Sequence, residues 1–164
     1  MAACGSDFTV AVTEDGELLA WGDGRDGHLG LDAVLHSSSR RVRPGGPELF
    51  DNQRIRLAVA GWSHLAVVAE DGAVYTCGYG ENGRLGLGDG QPRRRLTRVP
   101  QGVFAGSRVV MVSCGDYHTM AVTAAGHAWT CGRNSYGQLG VGDTTDRLGF
   151  TQVDAGQLGG ARIV

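Results

Sequence analysis

Two stretches, Gly22-x-Gly24-x-x-Gly27 and Gly78-x-Gly80-x-x-Gly83, have the residue types and spacing of a phosphate-cradling loop. Such a loop grips an anion only where a helix starts directly behind it, so that unpaired N–H groups at the helix N-terminus meet the charge. Here Leu-Gly and polar residues follow, and a third copy, Gly132-Arg133-Asn134-Ser135-Tyr136-Gly137, drops the middle glycine. The recurrence is that of a structural turn, so no nucleotide cofactor is expected. Five histidines raise metal and acid–base chemistry, yet His28 lies in a turn, His127 sits beside a turn glycine, and neither has a cysteine or carboxylate at zinc-ligand spacing. Ser63 and His64 are neighbours in a strand-like run; they point to opposite faces and cannot pair as nucleophile and base. No Gly-x-Ser-x-Gly elbow and no paired carboxylates outside turns complete a catalytic set. The chain reads as non-enzymatic, with no cofactor and no metal.

The turns and histidines recur because the chain repeats itself. Gly5-Ser6-Asp7-Phe8-Thr9, Gly61-Trp62-Ser63-His64-Leu65 and Gly115-Asp116-Tyr117-His118-Thr119 open three units. Gly27-His28-Leu29-Gly30, Gly83-Arg84-Leu85-Gly86 and Gly137-Gln138-Leu139-Gly140 close them. From Gly5 to Gly61 is 56 residues and from Gly61 to Gly115 is 54, and Gly30, Gly86 and Gly140 repeat both intervals. A period of this size means stacked units, because one unit cannot bury its apolar face alone. The 28 glycines, well above average usage, fall at fixed places in each unit, as turns with positive φ or close backbone approach require.

Within a unit, Phe8 to Thr13 is β-branched and aromatic, Glu14-Asp15-Gly16 signals a hairpin, and Leu18 to Trp21 returns. Leu65 to Val68, Glu70-Asp71-Gly72 and Val74 to Cys77 repeat the pattern, and the third unit turns on Ala124-Ala125-Gly126. An arginine-rich strand, at Arg41 to Arg43 and Leu96 to Val99, and an apolar one, at Ile55 to Val59 and Val109 to Val112, complete each unit. Four short strands per unit, without helical periodicity, predict an all-β protein. Its architecture is a β-propeller of four-stranded antiparallel blades, with about three blades in one repeat region, 1–164, and units near 1–54, 55–108 and 109–164.

The opening and closing signatures, best formed in Cys114-Gly115-Asp116-Tyr117-His118-Thr119 and Trp129-Thr130-Cys131-Gly132 through Gly140, resemble the regulator of chromosome condensation repeat over essentially the whole chain. The resemblance implies a structural role for Gly5, Gly30, Gly61, His64, Gly86, Gly115, His118 and Gly140, with the histidines hydrogen-bonded near a blade junction. Phe8 departs from the pattern, standing where the other units carry histidine. It further implies protein partners: an interaction scaffold first, with nucleotide exchange on a small Ran-like GTPase, or chromatin and nucleic-acid association through arginine-rich loops, as alternatives. The wedge that exchange would require is not visible in units of such similar length. A light-sensing branch of the family repeats Gly-Trp-Arg-His-Thr in consecutive blades; here Gly61-Trp62-Ser63-His64 occurs once, so photoreception is not expected. Family rings close with more blades than three. Arg162-Ile163-Val164 stops mid-strand and Ala2-Ala3-Cys4-Gly5 resumes where that strand would finish. Either the sequence is part of a longer propeller, or copies assemble as a homo-oligomer, such as a dimer, to close a ring.

Two surface features are candidates for partner binding. Arg40, Arg41 and Arg43, and Arg93, Arg94, Arg95 and Arg98, occupy equivalent loops on one side of the arc, where an acidic protein surface or phosphates could dock; the competing role is to guard an exposed edge strand. Trp62, with Tyr117 one place further on in the equivalent loop, offers an aromatic anchor at the rim. The net charge of −2 argues against general polyanion binding. Cys4 and Cys114 are repeat-equivalent, and Cys77 and Cys131 share their slot with Trp21, which suggests packing rather than a disulfide framework. Without a leader pattern or a long apolar run, a cytoplasmic or nuclear location is expected, with no membrane contact.

Overall fold

The computed structural model describes residues 1–30, 38–42, 50, 52–154, 156 and 158–163. Three four-stranded antiparallel sheets follow one another along the chain. The first holds β1 (Ala2–Cys4), β2 (Phe8–Val12), β3 (Leu18–Gly22) and β4 (Ser38–Val42). The second holds β5 (Ile55–Ala60), β6 (His64–Ala69), β7 (Val74–Gly78) and β8 (Arg93–Arg98). The third holds β9 (Val109–Cys114), β10 (His118–Thr123), β11 (Ala128–Gly132) and β12 (Arg147–Gln152). Each is a blade whose strands pair in chain order, and β5 touches both β1 and β9, so the first strands form the inner edge of the arc.

The hairpins turn where Gly16, Gly72 and Gly126 take φ of 75°, 89° and 81°, a left-handed conformation that glycine adopts without steric cost. Each turn also hands the chain to the next inner strand: Ile55 N donates to Gly16 O at 2.9 Å, Val109 N to Gly72 O at 3.3 Å and Ile163 N to Gly126 O at 3.1 Å. The hairpin that completes one blade thereby sets where the next begins.

Alternation along the strands decides what packs between blades. Phe8, Val10, Val12, Leu18 and Ala20 form one core with Leu65, Val67, Tyr75 and Cys77. Ala66, Val68 and Val74 form a second with Val109, Val112, Ala121, Trp129, Cys131 and Phe150. The middle blade is therefore buried on both faces along all of β6 and β7. In the first blade β2 is covered on one face, as its alternating burial shows.

The shared slot of Cys77 and Cys131 lies inside these cores. Their thiols, both fully buried, point at the carbonyls of His28 (3.8 Å) and Arg84 (3.7 Å) in the preceding blade's closing turn. Trp21 holds that slot on the uncovered face of the first blade and is half-buried. Burial pushes the Cys77 and Cys131 thiols well up and Cys114 up to about 12, so none forms thiolate near neutrality. A thiol reagent is expected to label exposed Cys4 quickly, half-buried Cys114 slowly, and Cys77 and Cys131 only on unfolding. Rapid native labelling of Cys77 or Cys131 would contradict this packing.

Candidate partner-binding face

The opening turns between β1 and β2, β5 and β6, and β9 and β10 lie at one end of the blades, beside the closing turns that follow β3, β7 and β11. Opening glycines permit this convergence: a Cβ on Gly61 would lie 2.1 Å from the His64 ring and 2.7 Å from Gly115 O of the next blade. The Gly-x-x-His spacing folds a ring back over a residue that must lack a side chain. Ser6 clamps the second turn from the first blade, its hydroxyl donating to Trp62 O at 2.7 Å and its N–H at 3.2 Å. The indole is left 48% exposed.

Trp62 stacks on Tyr117 of the third blade, ring centroids 5.9 Å apart at 20°. Beneath this pair lies Arg84, from the closing turn of the second unit. Its guanidinium, on a residue only 2% exposed, sits 5.2 Å from the Tyr79 ring and 4.7 Å from that of Tyr117. It donates to the carbonyl of Glu81 at 3.0 Å and reaches the Asn82 side chain and Asp116 O at 3.4 and 3.5 Å. Burial lowers the Arg84 pKa from its ordinary value, but the charge persists at neutral pH and faces two aromatic rings. Arg133 extends the stack, 5.6 Å from the Tyr117 ring and 5.7 Å from that of Tyr136, which is 85% exposed. Trp62, Ser63, Tyr79, Arg84 and Tyr117 line an open groove rimmed by Asp26 and Glu81.

His64, below the groove, is fully buried and bridges the second and third blades, with Nε2 2.9 Å from Thr119 Oγ1. Thr119 gives its own proton to Arg84 O at 2.7 Å, so it accepts from His64 Nε2–H. Burial, with Arg84 and His118 nearby, holds the imidazole near pKa 3 and therefore neutral. His64 makes no contact of this kind with Ser63. His28, equally buried, packs against the Phe8 ring at 4.3 Å. Among the described residues no three His, Cys, Asp or Glu gather as a metal site. The second phosphate-like turn runs through a single 3₁₀ turn, Glu81–Gly83, to Gly86 and then towards β8.

The arginine-rich strands reach further back along the chain than expected. Arg93, Arg94 and Arg95 join Arg98 in the outer edge strand β8, and Arg40 joins Arg41 in the equivalent strand β4. Arg43 lies outside the described residues. Arg93 pairs with Asp89 at 2.7 Å and Arg98 with Asp71 at 3.8 Å, and the Arg94 guanidinium donates to Arg25 O at 3.4 Å. Arg147 repeats the first arrangement with Asp143, held at 2.6 Å. Arg94, Arg95 and Arg98 are exposed, and β8 also receives the preceding blade's closing turn: a Cβ on Gly27 would come within 2.8 Å of Arg94 Cα. Trp62 and Tyr117 thus meet, while the arginines form a peripheral edge.

Models of the regulator of chromosome condensation (RCC1) repeat match residues 15–68, 71–122 and 125–158. A second model of that repeat matches residues 2–27, 55–84 and 109–138. The ultraviolet-B receptor UVR8 of Arabidopsis thaliana is 40% identical over 146 residues, covering 89% of this chain and 32% of the receptor. The human E3 ubiquitin-protein ligase HERC2 is 36% identical over 140 residues, covering 84% of this chain and 3% of the ligase. The chain thus spans a third or less of these relatives. Among solved structures, Prp20p of Saccharomyces cerevisiae, described with its binding properties to Gsp1p and histones, superimposes with TM-score 0.81 at 25% identity, over 94% of this chain and 38% of that one. Human WBSCR16 gives 0.82 at 25% identity, over 94% and 39%.

Proposed function

The chain belongs to the regulator of chromosome condensation (RCC1) repeat family, and from that premise we propose that it is a non-enzymatic protein-interaction scaffold docking through the loop face around Trp62. The observation that carries this reading is the stack itself. A half-exposed indole rests on Tyr117, which rests on a buried arginine, so a large anchor is presented in one orientation. Anchors of this kind supply most of the binding free energy at protein interfaces, because little side-chain entropy is lost on docking. The fitting partner is a folded protein that sets an apolar side chain against Trp62 and a carboxylate beside Arg133. We place the protein in the cytoplasm or nucleus, as the buried free thiols suit a reducing compartment.

Trp62→Ala is expected to weaken capture of such a partner about 10-fold or more, with the urea midpoint nearly unchanged because the indole is half in solvent. Arg94→Glu with Arg95→Glu is expected to leave capture within about 3-fold, since exposed charges away from an interface core contribute little. A pull-down from which the partner is identified, followed by titration calorimetry, separates the two faces. Loss of binding on the arginine strand alone would transfer the docking surface there. A second reading, nucleotide exchange on a Ran-like GTPase, draws on the likeness to Prp20p. Accelerated release of labelled GDP by the isolated chain would establish it.

A further inference from the structure

The groove beside Trp62 holds a buried cation without an ion-pair partner. A guanidinium is a planar fork of N–H donors with no acceptor of its own, and on Arg84 it belongs to a residue only 2% exposed. Nε is satisfied by Glu81 O at 3.0 Å, but the terminal nitrogens reach only Asp116 O at 3.5 Å and Asn82 Oδ1 at 3.4 Å. Both contacts are long for a hydrogen bond. Arg25, Arg93 and Arg147, by contrast, each hold a neighbouring carboxylate, that of Asp23, Asp89 or Asp143, at 2.5–2.7 Å. Among the described residues no carboxylate pairs with Arg84 in this way, and that of Glu81 acts on it only through space from the rim. The forked end of Arg84 is thus left for an acceptor that can take two parallel N–H bonds, which is the geometry of a carboxylate.

The surroundings specify what else such a ligand carries. Arg84 lines the groove together with Trp62, Tyr79 and Tyr117, and Arg133 faces the same Tyr117 ring from 5.6 Å. Burial first, and Arg133 with it, lower the Arg84 pKa, so an anion arriving beside both guanidinium groups relieves both costs. Tyr79 is 40% exposed and its N–H is fixed to Ser63 O at 2.8 Å, so a change of side-chain rotamer opens the way to Arg84 without moving the blade. Trp62 offers a flat apolar neighbour, stacked on Tyr117 and half in solvent. Asp26 and Glu81 on the rim repel further negative charge and favour a basic group instead. The groove therefore discriminates a single carboxylate from a polyanion.

We propose that Arg84 is the specificity-determining residue of this groove: an exposed segment of the partner seats one acidic side chain on the Arg84 guanidinium, lays a neighbouring apolar side chain on Trp62, and sets a basic one against Asp26 or Glu81. This rests on the docking face around Trp62 and names the chemistry that face selects. Selection is sharp because the charge is already desolvated in the free protein. A carboxylate supplies its counter-ion, whereas the amide of the same shape leaves it unpaired and sets an N–H group against N–H donors.

Selection of binders from a phage-displayed library of random peptides, followed by fluorescence-anisotropy titration of the resynthesised peptides, reads the outcome. Enriched sequences are expected to carry one Asp or Glu next to an aromatic or aliphatic residue, with Lys or Arg close by. Replacing that acid by its amide in the peptide is expected to weaken binding about 10-fold or more. Arg84→Lys, which keeps the charge and loses the fork, is expected to weaken it about 5-fold or more. The change in the peptide leaves the protein untouched, so a folding defect cannot imitate it. Binders that need Trp62 yet tolerate the amide or Arg84→Lys, or that are enriched without an acid, overturn the proposal and leave the docking face standing. Binders indifferent to Trp62→Ala, or a library that yields none, overturn the docking face along with it.

Discussion

Gly78→Ala is expected to leave the protein unfolded or to destabilise it by about 3–5 kcal/mol, through forced left-handed strain and a backbone clash together. Gly78 ends β7 at φ 107°, a conformation that an L side chain resists. A Cβ there would lie 2.4 Å from Ser63 O and 2.8 Å from His64 Cα, and neither can withdraw. Ser63 O accepts Tyr79 N–H at 2.8 Å, and His64 O accepts Gly61 N–H at 2.8 Å. Gly22 and Gly132 stand in the same relation to Asp7 and Tyr117, and Gly78 belongs to the middle blade, which packs against both of its neighbours. Gly88→Ala is the control: φ is 88° and no heavy atom lies within 4 Å of the added Cβ, so about 1 kcal/mol is expected. Equal urea midpoints for the two variants would sink the argument from close approach.

Acid is expected to loosen the junction between the second and third blades through His64. The imidazole is held near pKa 3 in the fold against an ordinary 6.5, so below pH 6.5 the unfolded chain takes up a proton that the folded chain refuses. The stability contributed by neutral His64 is complete above pH 6.5 and falls as the pH drops towards 3, by up to about 1.4 kcal/mol per unit. His28 and His118 are lowered by burial in the same direction, and Asp23, near 2 beside Arg25, extends the loss to lower pH. His64→Ala should cost about 2–4 kcal/mol at neutral pH, from a cavity plus an abandoned hydrogen bond. His64→Phe with Thr119→Leu, reproducing the first junction, should recover much of that and remove the steepest part of the acid slope. Urea midpoints between about pH 7.5 and pH 4.5 decide the matter. An unchanged slope in the double variant would show that His64 does not govern acid sensitivity.

Much of this was legible before any contact was known. Asp15-Gly16 and Asp71-Gly72 mark hairpins through a local need for positive φ, and the alternation Phe8, Val10, Val12 marks a strand covered on one face. The rim position of Trp62 follows from its place beside an opening glycine. The density of Arg93, Arg94 and Arg95 suggests a loop, because Leu96 and Thr97 supply too short an apolar signal to draw them into the strand that holds Arg98. Arg84 was passed over as the filler of Gly-x-Leu-Gly; the available signal was that this position changes from His28 to Arg84 to Gln138 while its neighbours do not.

The amino-acid sequence alone determined the period, the strands, the turns and the membership of each residue in its repeat. These depend on neighbours along the chain, on side-chain alternation and backbone freedom, and so need no partner from elsewhere. Only the tertiary structure decided that His64 meets Thr119, 55 residues away, that Arg84 lies between Tyr79 and Tyr117, and that Arg93 turns to Asp89. Those contacts depend on how one blade is rotated and seated against the next. Two blades with the same local signals can meet through Phe8 and Leu65 or through a hydrogen-bonded histidine, because the choice is made across the junction and not within either strand.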